Sequence, residues 1–208
     1  MEYNKSVFHK KALMLCAIGK ECYDRGWSPA TSSNYSIRFN QESCVLTSSG
    51  KHKGRLQPED ILLVDMQGNK VSETHAKPSA ETLLHTQLYQ FDSNINAVLH
   101  THSPNSVMIS EFLNKDSLEL KNWELLKALS GIGTHEVTIN IPIFENTQDI
   151  EALAMQVEAV MSTTTLHAYL IKGHGIYTWG KDLDECFRHL EALESLMGYE
   201  LTRLTLKA

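Results

Sequence analysis

The stretch Ala97-Val98-Leu99-His100-Thr101-His102-Ser103-Pro104 decides the reading of this chain. Three apolar residues leading into His-Thr-His read as a buried strand over 97–102, and Pro104 as the opening of the helix that follows. Residues two apart on a strand face the same side of a sheet, so His100 and His102 can offer both imidazoles to one ion. A third histidine lies in Lys172-Gly173-His174-Gly175, a turn predicted between strands over 168–171 and 176–179. The flanking glycines there let the backbone approach a ligand closely. Three neutral imidazoles with an open fourth position describe a catalytic zinc site rather than a closed structural one. Two histidines on a strand fit a hydrogen-bonded core equally well, so the third segment carries the weight. His85 stands one helical turn beyond Glu81 and suits a bracing or packing role near the site. His9, His75, His135 and His189 fall in surface or helical contexts, and His167 is a poorer ligand than His174.

Outward from that segment, helices and short strands alternate. Ser6 is expected to cap a helix ending near Arg25, with Gly26 as its stop. Residues 33–39 alternate polar and apolar like a half-buried strand, and 44–47 read as its antiparallel partner. A buried strand over 61–66 ends at the turn residues Gln67-Gly68-Asn69. Pro78-Ser79 is expected to open a helix to Phe91, with Glu81 in its first turn, where the helix dipole favours an anion. Further on, the pattern predicts a short helix over 122–129, an extended segment over 137–143 and a helix over 147–161. A long closing helix follows over 182–204, striped with Leu183, Cys186, Phe187, Leu190, Leu193, Leu196 and Met197. Without strict βαβ regularity, this pattern implies one α/β domain over 1–208, with a mixed or antiparallel sheet and helices on both faces.

Composition narrows the function classes. Hydrophobic residues make up 42% and charged residues 21% of 208, enough to bury a substantial core. The net charge of -6, with no basic run, argues against capture of a nucleic-acid backbone. No apolar stretch approaches the roughly 18 residues of a membrane span. The run ALMLCAIG (12–19) is short and followed at once by Lys20, Glu21, Asp24 and Arg25, so it reads as an amphipathic helix rather than a secretory signal. Four scattered cysteines form no CxxC pair, which points to reduced thiols in a cytoplasmic protein.

Three small-residue segments suit an oxyanion: Thr31-Ser32-Ser33-Asn34, Ser48-Ser49-Gly50-Lys51 and Lys77-Pro78-Ser79-Ala80. None is a Walker loop, so ATP hydrolysis is not supported. In this order, ATSSNYSIR (30–38), LTSSGKHKG (46–54), KPSAETLLH (77–85), AVLHTHSPNSV (97–107) and IKGHGIYTWG (171–180) resemble the class II aldolase family. The segments NWELLKALSG (122–131) and IPIFENTQDI (141–150) are most similar to the family's dehydratase branch, which acts in methionine salvage.

The resemblance implies a three-layer α/β/α fold with a mostly antiparallel central sheet. It also implies a homotetramer with sites near subunit interfaces, acting on a small sugar phosphate. His100, His102 and His174 match the family's zinc ligands, one Zn²⁺ per subunit. Ser33, Asn34, Ser49, Gly50, Lys51 and Ser79 fall at the substrate-binding segments. Ser33 stands where a glycine is common, and Ala80 replaces a second serine. Glu81 matches a carboxylate that serves as a base and can approach the metal, while Glu124 matches the acid–base of the dehydratases. Dehydration of a ketopentose phosphate and aldol cleavage or epimerisation of another sugar phosphate share this metal site, and the acid–base residues separate them. A binding module that keeps the fold without catalysis is the third reading, and the intact His100, His102 and His174 set beside two carboxylates argues against it.

Overall fold

The computed structural model describes residues 3–71 and 76–206; His75 lies outside them. The chain begins with α1 (Lys5–Asp24), then the meander β1 (Asn34–Arg38), β2 (Ser43–Thr47) and β3 (Ile61–Asp65). Next come α2 (Thr82–Phe91), β4 (Ala97–Thr101), α3 (Pro104–Phe112), β5 (Ser117–Lys121) and β6 (Thr138–Phe144). It closes with α4 (Ile150–Met161), the hairpin β7 (Ala168–Ile171) and β8 (Gly175–Gly180), and α5 (Leu183–Thr205). Among the described residues eight strands form one sheet in the order β3-β2-β1-β4-β8-β7-β6-β5. Every neighbouring pair is antiparallel except β6 and β7.

Alternation along the strands feeds two cores. Tyr35, Ile37, Leu99 and Leu170 pack against Leu15 of α1, Ile109 of α3 and Leu190 and Leu193 of α5. Leu46, Val98, Tyr169 and Trp179 pack against Leu84 and Leu88 of α2 and Leu153 and Val157 of α4. Because both faces are covered, every residue of β1 is buried. The strand expected to be half-buried over 33–39 runs from Asn34 to Arg38 and is buried throughout, with Phe39 partly buried beyond its end, and its polar residues Asn34, Ser36 and Arg38 are paired inside. The α5 stripe is buried as its spacing predicts, from Leu183 to Met197, with Phe187 packed at its margin.

Several boundaries differ from the sequence expectation, each for a local reason. Asn4, not Ser6, caps α1: its Oδ1 accepts from the backbone N–H of Ser6 and Val7, both at 3.1 Å. The helix expected from Pro78 begins at Thr82, and Glu81 occupies the cap position without a side-chain cap bond. Its carboxylate is thus free to turn toward the sheet. Asp149 caps α4 through Ala152 N–H at 3.0 Å, so residues 147–149 stay outside that helix. The helix expected over 122–129 is a 3₁₀ turn, Glu124–Ala128. One strand, β5, escaped the sequence reading. It alternates buried Leu118 and Leu120 with exposed Glu119 and Lys121, the charged pattern that protects a sheet edge.

Candidate functional site

β4 lies near the centre of the sheet, where it pairs His100 with Asn34 of β1 on one side and with Tyr177 of β8 on the other. His100 is fully buried and stacks on the Tyr177 ring, centroids 4.0 Å apart at 14°. Its Nδ1–H donates to the Ile176 carbonyl at 3.0 Å, which fixes the tautomer and leaves the Nε2 lone pair free. His102 sits at the strand's end, where its N–H donates to the Trp27 carbonyl at 2.9 Å. His174 lies in the turn between β7 and β8. Gly175 is needed there, because a Cβ would stand 2.1 Å from the Thr101 carbonyl oxygen.

The three rings converge. His102 Nε2 lies 2.7 Å from His100 Nε2 and 3.2 Å from His174 Nε2, and one ring nitrogen from each falls within 4.8 Å of the others. Nitrogens bound tetrahedrally at about 2.0–2.1 Å would be roughly 3.3 Å apart, so the spacing fits a shared ion with little adjustment. Burial pulls His100 down to about 4 and His102 to about 2. Both are therefore neutral at neutral pH, the form that ligates metal.

Glu81 faces this triad. Its Oε1 lies 3.2 Å from His174 Nε2 and its Oε2 3.6 Å from His100 Nε2. Burial pushes its carboxyl up, but the His100 and His174 rings and the Asn34 amide outweigh that and hold it well below the usual carboxylate range. A chain of hydrogen bonds aims it. Tyr89 and Ser36 hydroxyls meet at 2.7 Å, Ser36 Oγ meets His85 Nδ1 at 2.8 Å, and His85 Nε2 meets Asn34 Oδ1. Asn34 Nδ2 then donates to Glu81 Oε2 at 2.7 Å. Burial takes His85 down to about 3, so a neutral ring braces Asn34, in keeping with the bracing role its position suggests.

Beside the histidines opens a cavity of about 140 Å³ that Ser33, Asn34, Ser49, Gly50, Ser79 and Glu81 help to line. Three segments distant in sequence meet there with His102 and His174. Ser33 has φ +72°, a left-handed conformation that suits glycine, the residue the family resemblance leads one to expect here. Gly50, also at φ +72°, leaves open space where a Cβ would point. Ala80 is exposed outside this cavity.

Two expected residues lie elsewhere. Lys51 is not among the lining residues; its Nζ pairs with Asp60 Oδ1 at 2.8 Å on the surface. Glu124 is exposed, pairing with Lys127 at 2.5 Å and His135 at 3.2 Å, and within this chain it does not line the cavity. Conversely, Ser48 and Lys53 do line it. Both sit in the segment SSGKHKG singled out from the sequence, but nothing in the spacing says which of its two lysines turns inward.

Comparison with known proteins gives the family and the fold. The Class II Aldolase and Adducin N-terminal domain family matches residues 14–201. The methylthioribulose-1-phosphate dehydratase of Alcanivorax borkumensis is 54% identical over 200 residues, covering 96% of this chain and 94% of the relative. The Hahella chejuensis protein of the same name is 47% identical, covering 97% of each chain. Among solved structures, L-fuculose-1-phosphate aldolase from Thermus thermophilus superposes with a TM-score of 0.76 at 23% identity, covering 96% of this chain and 99% of that one. A sugar-phosphate aldolase from Thermotoga maritima gives 0.69 at 16%, with 96% and 97% covered. These structural likenesses speak for the fold, an α/β fold of class II aldolase type. The chain belongs to the class II aldolase and adducin family.

Proposed function

We propose that this chain is a zinc-dependent dehydratase that converts 5-methylthioribulose 1-phosphate to 2,3-diketo-5-methylthiopentyl 1-phosphate and water in methionine salvage. The names of its curated relatives supply the reaction. The observation that carries it structurally is the convergence of three imidazoles on one wall of a cavity whose other wall is built of hydroxyls and a glycine turn. The family typically uses a metal, and this donor set fits one. His100, His102 and His174 would hold the ion; three imidazoles and an open position favour zinc. When bound, the ion supplies Lewis-acid polarisation of the substrate carbonyl.

The chain's own groups have two tasks. The first is to hold the phosphate end at Ser33, Ser49, Gly50 and Ser79, so that the sugar's C2 and C3 oxygens extend toward the histidines. The second is to move protons. A proton leaves C3, the C4 hydroxyl departs as water after gaining a proton, and the remaining enol ketonises to the 2,3-diketone. Glu81, anionic and aimed by Asn34, stands beside the histidines that would hold the ion. Glu124 is assigned the proton transfer at C3 and C4. Because Glu124 is exposed in the single chain, that role requires it to enter the cavity of a neighbouring copy. A homotetramer with sites at its interfaces supplies the arrangement. A single domain of three layers, α/β/α, is supported by the two cores on opposite faces of the sheet. The four free cysteines fit the reducing cytoplasm, the location this reading assigns; no helix among the described residues is long and apolar enough to cross a membrane.

The test is an assay of the zinc-loaded protein with methylthioribulose 1-phosphate. Diketone formation is expected. Release of a two- or three-carbon fragment would make the chain an aldolase, and no turnover of any ketose phosphate would leave it a binding module.

A further inference from the structure

Lys53 opens the 3₁₀ turn Lys53–Arg55 and is 1% exposed, a rare position for a lysine. Its Nζ donates to two backbone carbonyls, Lys51 at 2.8 Å and Thr31 at 3.3 Å. An ammonium carries three donors, so one has no partner among the described residues. No carboxylate among the described residues pairs with it; the neighbouring Asp60 is engaged by Lys51. A buried charge without a counter-charge is costly, and protein interiors rarely keep one unless a ligand supplies the partner. Burial pulls the ammonium down to about 8, against the pull of Asp60, so it stays largely protonated at neutral pH.

The same cavity holds a second unanswered group. Ser48 is 2% exposed, and its hydroxyl has no hydrogen-bond partner among the described residues. Among the described residues Lys53 is the one cationic side chain lining the cavity, facing a wall that already carries the Glu81 carboxylate. An anion at the Ser48–Gly50 end would satisfy the ammonium and the hydroxyl together and supply the missing counter-charge.

We infer that Lys53 is the charge partner of the substrate's phosphate, a monoester dianion held between its ammonium, the Ser48 hydroxyl and the Gly50 turn. This rests on the sugar-phosphate reading above and deepens it by naming the cation. It also exchanges Lys51, which lies outside the cavity, for Lys53.

Inorganic phosphate is the probe, titrated by calorimetry into the full-length protein and tested as an inhibitor. The wild type should bind it competitively with substrate. Lys53→Met should weaken that binding about 10- to 100-fold, as for loss of a charged hydrogen bond, and raise KM similarly with a smaller change in kcat. It should also melt higher than wild type without phosphate, because an unpaired buried charge is gone, and lose the phosphate-induced rise in Tm. A merely structural lysine would give neither. Wild-type phosphate affinity in Lys53→Met, non-competitive inhibition, or a larger effect from Lys51→Met would overturn the assignment. Should Lys53→Met fail to fold, Ser48→Ala decides: it should bind phosphate more weakly, and unchanged affinity would refute the cradle. Phosphate binding through Lys53 without turnover of methylthioribulose 1-phosphate would sink the proposed reaction and leave this site standing. Turnover with Lys53→Met indistinguishable from wild type would do the reverse.

Discussion

Glu194 of α5 offers a quantitative test of how the strand that carries His100 is supported. It is 2% exposed on the side of the sheet opposite the histidines. Thr101, the residue between His100 and His102, reaches its Oε1 at 3.5 Å, while its Oε2 has no hydrogen-bond partner among the described residues. The Cys22 thiol of α1 is near enough to feel its charge. Burial raises its carboxyl to about 7, with Ser103 and Thr101 opposing. A carboxyl at about 7 rather than 4.5 reflects about 3 kcal/mol of penalty on the ionised form.

The sign follows from the raised value. Below pH 4.5 the side chain is protonated in both folded and unfolded chains, and no penalty applies. Between 4.5 and 7 the unfolded chain releases a proton that the folded chain retains, so stability falls; above 7 the loss levels off. Glu194→Gln keeps the shape and removes the ionisation. From pH 5 to pH 8 the wild type should therefore lose about 2.5 kcal/mol relative to Glu194→Gln. For a chain of this size that is about 5–10 °C in Tm. The assay is thermal or urea unfolding of both proteins at half-unit pH intervals, with equal metal content. Parallel pH profiles, or a gap that narrows as pH rises, would refute the picture of a neutral acid behind β4.

Other consequences can be measured directly. Alanine at His100, His102 or His174 should weaken metal binding by more than the roughly 10–100-fold typical of losing a group that only orients a ligand, read by metal analysis after dialysis. His85→Phe should keep the metal yet lower kcat/KM about tenfold, because Asn34 loses the ring that aims it at Glu81. Glu124→Gln should retain metal and lose turnover at least a hundredfold, whereas Glu81→Gln should change metal affinity as well. If Glu124 serves a neighbouring copy, mixing Glu124→Gln with His100→Ala should restore up to about a quarter of wild-type activity, the share of sites with both groups intact; no recovery after subunit exchange would contradict service between copies.

What the sequence makes legible follows from which forces are local. The two-residue period of a strand puts His100 and His102 on one face whatever surrounds them. Gly173 and Gly175 bracket a turn wherever it lands. The serine and glycine segments announce turns for the same reason. The inward lysine is different, because tertiary packing decides it. The turn carrying Lys53 docks on α1, where the Gly54 Cα lies so close to the Tyr23 ring that a Cβ would meet it at 2.5 Å. That contact rolls Lys53 under the loop and leaves Lys51 at the surface with Asp60. No spacing rule within SSGKHKG encodes a helix thirty residues earlier. The start of α2 is similarly non-local: Glu81 gives up capping, and its carboxylate instead accepts from the Asn34 amide of β1, beside the histidines of β4 and the β7–β8 turn.

Under the proposed function, Glu124 takes this one level further, from packing within a chain to packing between chains. In isolation its carboxylate does what surface carboxylates do, sharing Lys127 and His135 at the head of a short 3₁₀ turn. Yet that turn is held firmly. Arg188 Nε donates to the Ala128 carbonyl at 3.0 Å, Ser130 N–H donates to His189 Nε2 at 3.1 Å, and Ser130 Oγ donates to Glu185 at 2.6 Å. Three residues of the first turns of α5 thus fix the end of the segment that presents Glu124. Exposed ion pairs of this kind contribute little stability, so swinging the carboxylate from Lys127 to a neighbour's cavity meets little resistance while its backbone stays anchored. A rigid base with a loosely held tip is what a proton donor delivered across an interface requires. Loosening the base, by Arg188→Ala, should therefore lower kcat in the assembled enzyme while metal content and phosphate affinity stay as they were. If kcat instead survives, the anchoring by α5 has no part in presenting Glu124.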